Sequence, residues 1–260
     1  MRAQGWLAPL LTLVVLVVLW EAGVRHFEIP AYLLPGPIDV WASLRSNAGS
    51  LMPSWWFTLK ITLGALLLAC AGGVLVAAGF TLLPAMERAF FPLAVVLQVT
   101  PIVAIAPLLL IYIESTTAAL LLCAWIVAFF PILSNTVMGL RAVDAGLHEL
   151  FSLYRATLWQ RLSLLRTPTA LPYFLAGLRI SGGLALIGAV TAEMVAGAAG
   201  RETGLASRIL EASFRTETPK MFAALSLLVC TGVIIYAFTS ALSAKLIGHW
   251  HASERKEGAR

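Results

Sequence analysis

Long apolar blocks alternate with short polar intervals along this chain, and the block lengths predict helices that cross a membrane. A helix needs about 20 apolar residues to span a bilayer. Trp6–Gly23 is the first such block, with Pro9 near its start. A second runs from about Phe57 to Leu83 and is rich in Gly64, Gly72, Gly73 and Gly79, small residues that let a neighbouring helix approach closely. A third covers Phe90–Ile113, a fourth Ala118–Met138, a fifth Ala170–Ala196 and a sixth Met221–Gly248. Six helical blocks and no strand pattern predict an all-α polytopic membrane protein, organised as a single transmembrane domain over residues 1–260. The first block has only one arginine ahead of it and is short enough to resemble a signal peptide. No small-x-small cleavage site follows, however, and Trp20-Glu21 stands where one is needed, so it reads as an uncleaved span.

The intervals between blocks carry their own signals. In Arg25–Trp56, Ile29-Pro30 and Leu34-Pro35-Gly36-Pro37 force extended or turn conformations. Pro37 suits the first turn of a short helix on which Ile38, Trp41 and Leu44 share a face. Trp55 and Trp56 mark re-entry into lipid. Pro84–Phe91 reads as a tight turn and Glu114–Thr117 as another. Gly197–Lys220 is a second long loop, with a helical pattern through Leu205, Ile209 and Ala212, and a charged tail runs from His249 to Arg260.

The longest polar interval, Gly139–Pro172, holds Arg141, Arg155, Arg161 and Arg166. Leu147, Leu150, Phe151 and Tyr154 recur at helical spacing, and Leu158, Leu162 and Leu165 begin a second short pattern that Pro168 and Pro172 punctuate. Two readings stay open on these residues: surface helices of an ordinary loop, or a docking element offered to a soluble partner.

Within the blocks, Gln98-Val-Thr-Pro101 and Ile105-Ala-Pro107 are the irregular positions. Two prolines six residues apart free backbone carbonyls, which a membrane tolerates only against protein or a wet cavity. They predict either a structural kink or a helix lining a path, with Gln98 and Thr100 toward the lumen. Arg179 and Glu193 lie in the fifth block near its two ends, where a charge is either functional or snorkels to the interface.

Composition agrees with the pattern. Of 260 residues 60% are hydrophobic and 12% charged, with a mean hydropathy of +0.88, whereas soluble domains carry about 25% charged residues. A net charge of +5 raises nucleic acid as a partner, but the arginines are scattered among loops and form no basic stripe. They set topology instead. Ten lysines and arginines fall on the side of the 139–172 element and both termini, and seven on the other, which predicts that this element and the termini are cytoplasmic. Cys70, Cys123 and Cys230 lie within apolar blocks without metal spacing, so neither a disulfide framework nor a metal site is expected.

Catalytic parts are missing from the sequence. It has no G-x-x-x-x-G-K-[ST] phosphate loop, no HExxH, no GxSxG and no Cys/His cluster, and its four histidines fall in loops or the tail. Nor do acidic or histidine relays run across several spans, as a proton-driven carrier often needs. These observations point to half of a membrane path without its own engine, carrying an exposed element to receive one.

The stretch Glu149–Pro172 resembles the cytoplasmic "EAA" loop of the permease subunits of bacterial binding-protein-dependent ABC importers. Glu149 and Pro168 match at the family's spacing. Leu150 and Phe151 replace the two alanines, Arg155 stands at the glycine, Leu165 takes the Ile position and Thr167 replaces the Leu. LLPGPIDVWASL, QVTPIVAIAPLLLIYI, ALPYFLAGLRIS and ALIGAVTAEMVAG resemble, in order, the nitrate/sulfonate/taurine branch, which also includes riboflavin and pyrimidine-precursor permeases.

The resemblance implies the type I importer permease fold in a bacterial inner membrane, and a homodimer of permeases. It also implies cytoplasmic ATPase subunits that bind ATP and Mg, and an extracytoplasmic solute-binding protein. It implies no cofactor and no catalysis on this chain. Glu149, Leu150, Phe151, Tyr154 and Arg155 would contact the ATPase, with Arg155 shaping the turn differently from a glycine or pairing with an acidic group there. Gln98, Thr100, Asn135, Ser181 and Glu193 are the candidates for the path between the third, fourth and fifth spans. Few fixed cations in that path favour a heterocycle over a sulfonate, taurine or nitrate, with Arg179 as the counter-argument. An ion-coupled secondary transporter, which would need coupling-ion sites and often an inverted repeat, is the alternative; a membrane enzyme is a weaker one.

Overall fold

The computed structural model describes residues 4–197 and 203–247. The charged tail His249–Arg260, the expected end of the last span at Gly248, and Arg2 and Arg201 of the orientation argument lie outside them. The described residues are α-helical, with no strand among them. The helices are α1 (Gln4–His26), α2 (Pro37–Ser46), α3 (Ala48–Leu82), α4 (Pro84–Val99), α5 (Ile102–Tyr112), α6 (Thr116–Arg141), α7 (Ala145–Leu153), α8 (Leu158–Gln160), α9 (Thr167–Ala196), α10 (Leu205–Phe214) and α11 (Thr218–Ile247). A π-helical turn over Arg161–Arg166 joins α8 to α9 without a break. Among the described residues five helices are long and apolar enough to cross a membrane, or six when α4 and α5, bent by 100° at their junction, count as one span.

The chain divides into two compact units. One comprises Met1–Phe57 and Gly197–Cys230, the other Thr58–Ala196 and Thr231–Arg260. In the first unit, α1 turns an almost wholly exposed apolar surface outward, as a lipid-facing helix does. Glu21 near its end does a structural job: its Oε2 accepts from the Ile38 N–H at 3.2 Å. Gly36 precedes α2 and has no side chain to cap it, so the carboxylate of α1 takes that role, and Asp39 Oδ2 accepts from the Gly36 N–H at 3.2 Å. Thr218 Oγ1 donates to the Tyr32 carbonyl at 2.6 Å, and Trp20 meets Phe222 with ring centroids 6.0 Å apart.

The second unit holds the larger core. Leu66, Phe80, Phe129, Ile132, Leu133, Val137, Leu175 and Leu178 pack together in it. Its central contact is α6 against α9, where glycines admit backbone to backbone. A Cβ on Gly177 would lie 2.8 Å from the Pro131 carbonyl oxygen, and one on Gly139 would lie 2.7 Å from Ala170 Cα.

Several element boundaries differ from the sequence reading. The helix of the second span begins at Ala48 and not near Phe57, because helical hydrogen bonding extends upstream of Trp55-Trp56. The segment Pro84–Phe91 is no turn: only Leu83 leaves the helical region (φ −128°, ψ 85°), and Pro84 starts α4, its missing N–H being one no helix start requires. The pattern expected as a second short helix after Thr157 is the beginning of the fifth span. Thr157 and Gln160 cap it reciprocally (2.8 and 3.3 Å). The helix then widens, with the Thr167 N–H reaching the Leu162 carbonyl, just ahead of Pro168, which has no N–H to donate.

Candidate coupling element and membrane path

The polar interval of the second unit forms one defined helix, α7. Asp144 sits in an extended conformation before it, and its Oδ1 accepts from the N–H groups of Gly146 (2.9 Å) and Leu147 (3.2 Å). At the other end the Arg155 N–H reaches the Ser152 carbonyl and the Ala156 N–H the Phe151 carbonyl, at 3.0 and 2.9 Å. That pair of bonds is a Schellman closure, which places Arg155 at the left-handed position helices usually give to glycine. Its φ is +48°. The arginine therefore takes a left-handed turn that a glycine adopts without strain.

Both ends of α7 are satisfied, while its side chains lack cover. Leu147 and Leu150 are exposed, and Leu153 and Tyr154 are each 81% exposed. Glu149 is exposed, and Phe151 is half-buried. Leu158 and Trp159 extend the apolar surface beyond the turn. So short a helix is marginal in isolation, and its two caps hold it helical while its apolar face stays open. Beside it lies a cavity of about 460 Å³ lined by Thr81, Pro84, Glu87, Arg141, His148, Glu149 and Arg166. Glu87, in the first turn of α4, pairs there with Arg141, the last residue of α6.

The candidate path residues fall in three places. Gln98 is exposed in the last turn of α4. Thr100 sits at the break itself, extended before Pro101 (φ −72°, ψ 125°), with Oγ1 donating to the Val96 carbonyl at 2.6 Å. Asn135 and Ser181 share the α6–α9 seam. Asn135 Nδ2 donates to the Pro131 carbonyl at 2.7 Å, and the fully buried Ser181 Oγ donates to the Ala128 carbonyl at 2.7 Å. Glu193, 1% exposed, accepts from Thr58 Oγ1 of α3 at 3.1 Å. Of the two prolines in the third block, Pro101 makes the break and Pro107 stays inside α5.

Sequence reasoning missed the Asp144 cap, though an aspartate three residues ahead of a helical leucine is a readable start signal. It also missed the pairing of Glu87 with Arg141. Fifty-four positions separate these residues, and no periodicity links them.

Residues 69–248 match the family described as binding-protein-dependent transport system inner membrane component. The riboflavin transport system permease protein RibX of Chloroflexus aurantiacus is 34% identical, across 93% of this chain and 89% of its own length. The formylaminopyrimidine transport permease protein ThiX of Halalkalibacterium halodurans is 32% identical, across 91% and 93%. A putative aliphatic sulfonates transport permease protein, SsuC of Bacillus subtilis, is 29% identical, across 95% and 88%. A helical membrane-spanning chain with a capped helix exposed between two spans, matched in this way over most of its length, belongs to the family of permease subunits of binding-protein-dependent ABC importers.

Proposed function

We propose that two copies of this chain form the translocation path of an ATP-driven importer. In this reading α7 is the surface on which a cytoplasmic ATPase acts, and an extracytoplasmic protein delivers the solute. The observation that carries it is α7 itself, a helix closed at both ends by its own sequence and uncovered along its apolar face. ATP and Mg belong to the partner, and this chain does no covalent chemistry. Closure of the ATPase pair favours one arrangement of the permease pair, and hydrolysis releases it. Glu149, Leu150, Phe151, Tyr154 and Arg155 are the contacts, and Gln98, Thr100, Asn135, Ser181 and Glu193 the path candidates. The face of the membrane bearing α7 is the cytoplasmic one, as the surplus of arginines around it favours.

The solute we favour is a heterocycle of the riboflavin or pyrimidine-precursor type, over sulfonate, taurine or nitrate. Two of the relatives above are named for such compounds, and the span surfaces carry few fixed cations. The test is purification of the tagged chain from its native membrane, with an ATPase assay on whatever co-elutes. A co-eluting ATPase whose vanadate-sensitive turnover drops on Glu149→Ala or Phe151→Ala, with membrane insertion intact, is the expected result. Wild-type uptake and turnover in both variants would remove the coupling assignment. The co-eluting solute-binding protein should bind riboflavin or a pyrimidine by calorimetry, and binding of a sulfonate in its place would remove the substrate assignment.

A further inference from the structure

We infer that the Glu87–Arg141 ion pair is the tie that passes movement of the α7 element to the broken helix α4–α5, so that both residues are positioning residues for coupled transport. This rests on the coupling reading of α7. Arg141 ends α6, and three residues later Asp144 caps α7. Glu87 lies in the first turn of α4, just after the break at Leu83. From there α4 runs as one helix to Thr100, where the chain bends by 100°. The pair thus joins the base of the exposed helix to the near end of the element whose far end holds the break.

What surrounds the pair gives it that role. The cavity of about 460 Å³ beside α7 lies on one side of it. A second, of about 450 Å³, is lined by Arg88, Phe91 and Pro92 together with Glu87 and Arg141. Met86, one residue before Glu87, packs on the core, and Phe91 meets the rings of Phe80 and Phe130; among these contacts the ion pair is the charged link between the first turn of α4 and the last residue of α6. The Glu87 side chain is 13% exposed and that of Arg141 is 61% exposed. Removing the guanidinium leaves the Glu87 carboxylate, on the lining of both cavities, without its counter-charge. A contact of this kind transmits motion only if both ends shift together, and a double-mutant cycle measures that directly.

The experiment uses the whole complex, permease with its ATPase and solute-binding protein, reconstituted in proteoliposomes. The readout is solute taken up per ATP hydrolysed. Glu87→Gln and Arg141→Gln should each lower that ratio about tenfold, within the usual span of coupling energies. The swapped double variant, Glu87→Arg with Arg141→Glu, should recover most of it. A swap no better than the two single losses combined overturns the inference. So does a reduced yield of assembled complex with a wild-type ratio, since the pair would then be a structural strut only. Glu149→Ala and Phe151→Ala in parallel separate the two claims. If they uncouple while the pair variants do not, this inference alone falls; if they leave uptake and hydrolysis intact, the coupling reading falls and takes this one with it.

Discussion

Arg155 is the residue at which sequence and backbone disagree most plainly. A side chain at φ +48° crowds its own carbonyl, which costs about 1–2 kcal/mol, and glycine avoids this. Two other helices end in the same way. Glu28 (φ +46°) closes α1, and Thr216 (φ +57°) closes α10 through bonds from Thr216 N–H to the Ser213 carbonyl and from Glu217 N–H to the Ala212 carbonyl. Arg155→Gly should therefore raise the thermal midpoint of the detergent-solubilised protein by roughly 1–4 °C, part of the gain being offset by the freer unfolded chain. Thr216→Gly should raise it by at least as much, because a β-branched side chain tolerates this region least. An unchanged or lower midpoint in both would mean that these turns are not left-handed. Uptake measured on Arg155→Gly separately reads whether the guanidinium also meets the ATPase. Glu211 on α10 sets a pH dependence. A hydrogen bond from Arg208 holds its carboxyl below the usual 4.5, burial opposing, with Arg208, Arg215 and Lys220 adding charge attraction. A carboxylate depressed in the folded state contributes stability that is present above its unfolded value and lost as pH falls through the folded one. Wild-type protein should thus lose stability below about pH 4.5, and Glu211→Gln should flatten that part of the profile while lowering stability at neutral pH.

At the scale of elements, the α6–α9 contact is where small residues matter most. A Cβ on Gly177 meets the Pro131 carbonyl oxygen at 2.8 Å and Asn135 Cβ at 3.0 Å, and one on Gly188 meets Ala124 Cα at 3.0 Å. Backbone atoms cannot swing aside, so Gly177→Ala should destabilise by about 1–3 kcal/mol. Gly183 on the same helix has nothing within 4 Å, and Gly183→Ala should be neutral or stabilise by up to about 1 kcal/mol. Thermal unfolding of the two variants side by side checks the contrast. The sequence reading placed close helix packing on the second span, with Gly64, Gly72, Gly73 and Gly79. It missed the fifth, because composition reports that small residues are present and not which neighbour they meet. Span number, the α2 helix with Pro37 at its start, and the helical spacing of Leu147, Leu150 and Phe151 were all legible, since each rests on local periodicity or on proline's fixed geometry. What stayed hidden depends on partners distant in sequence. Pro101 breaks its helix and Pro107 does not, yet both look alike in the chain. Ser181, a polar residue in an apolar block, gives no sign in the sequence of its bond to the Ala128 carbonyl across the α6–α9 seam.

For the whole molecule, the question is whether the bent pair α4–α5 crosses the membrane or returns to the face it left. Neither helix suffices alone: α4 has 16 residues and α5 has 11, about 24 and 16 Å, against a hydrocarbon core of about 30 Å. The Glu87–Arg141 contact decides it. Glu87 opens α4 beside the last residue of α6, while the chain leaving α5 must enter α6 at Thr116, its first residue. Those ends bound a helix of 26 residues, about 39 Å long, so α4 and α5 together carry the chain from one end of α6 to the other. With α1, α3, α6, α8–α9 and α11, the described residues then hold six segments long and apolar enough to cross. If all six cross, simple counting predicts that the N-terminus and residue 142 are reached from one face and residue 213 from the other. Substituted cysteines test this with a membrane-impermeant thiol reagent; Cys70, Cys123 and Cys230 lie within spans and give little background. Ala142→Cys should label only in inside-out vesicles, Ser213→Cys only from the outer face, and an epitope at the N-terminus should be reached from the same side as residue 142. A tag on the opposite side from Ala142→Cys would mean that α4–α5 re-enters without crossing, which the Glu87–Arg141 pair does not permit, and labelling of residues 142 and 213 from one face would remove the crossing by α8–α9.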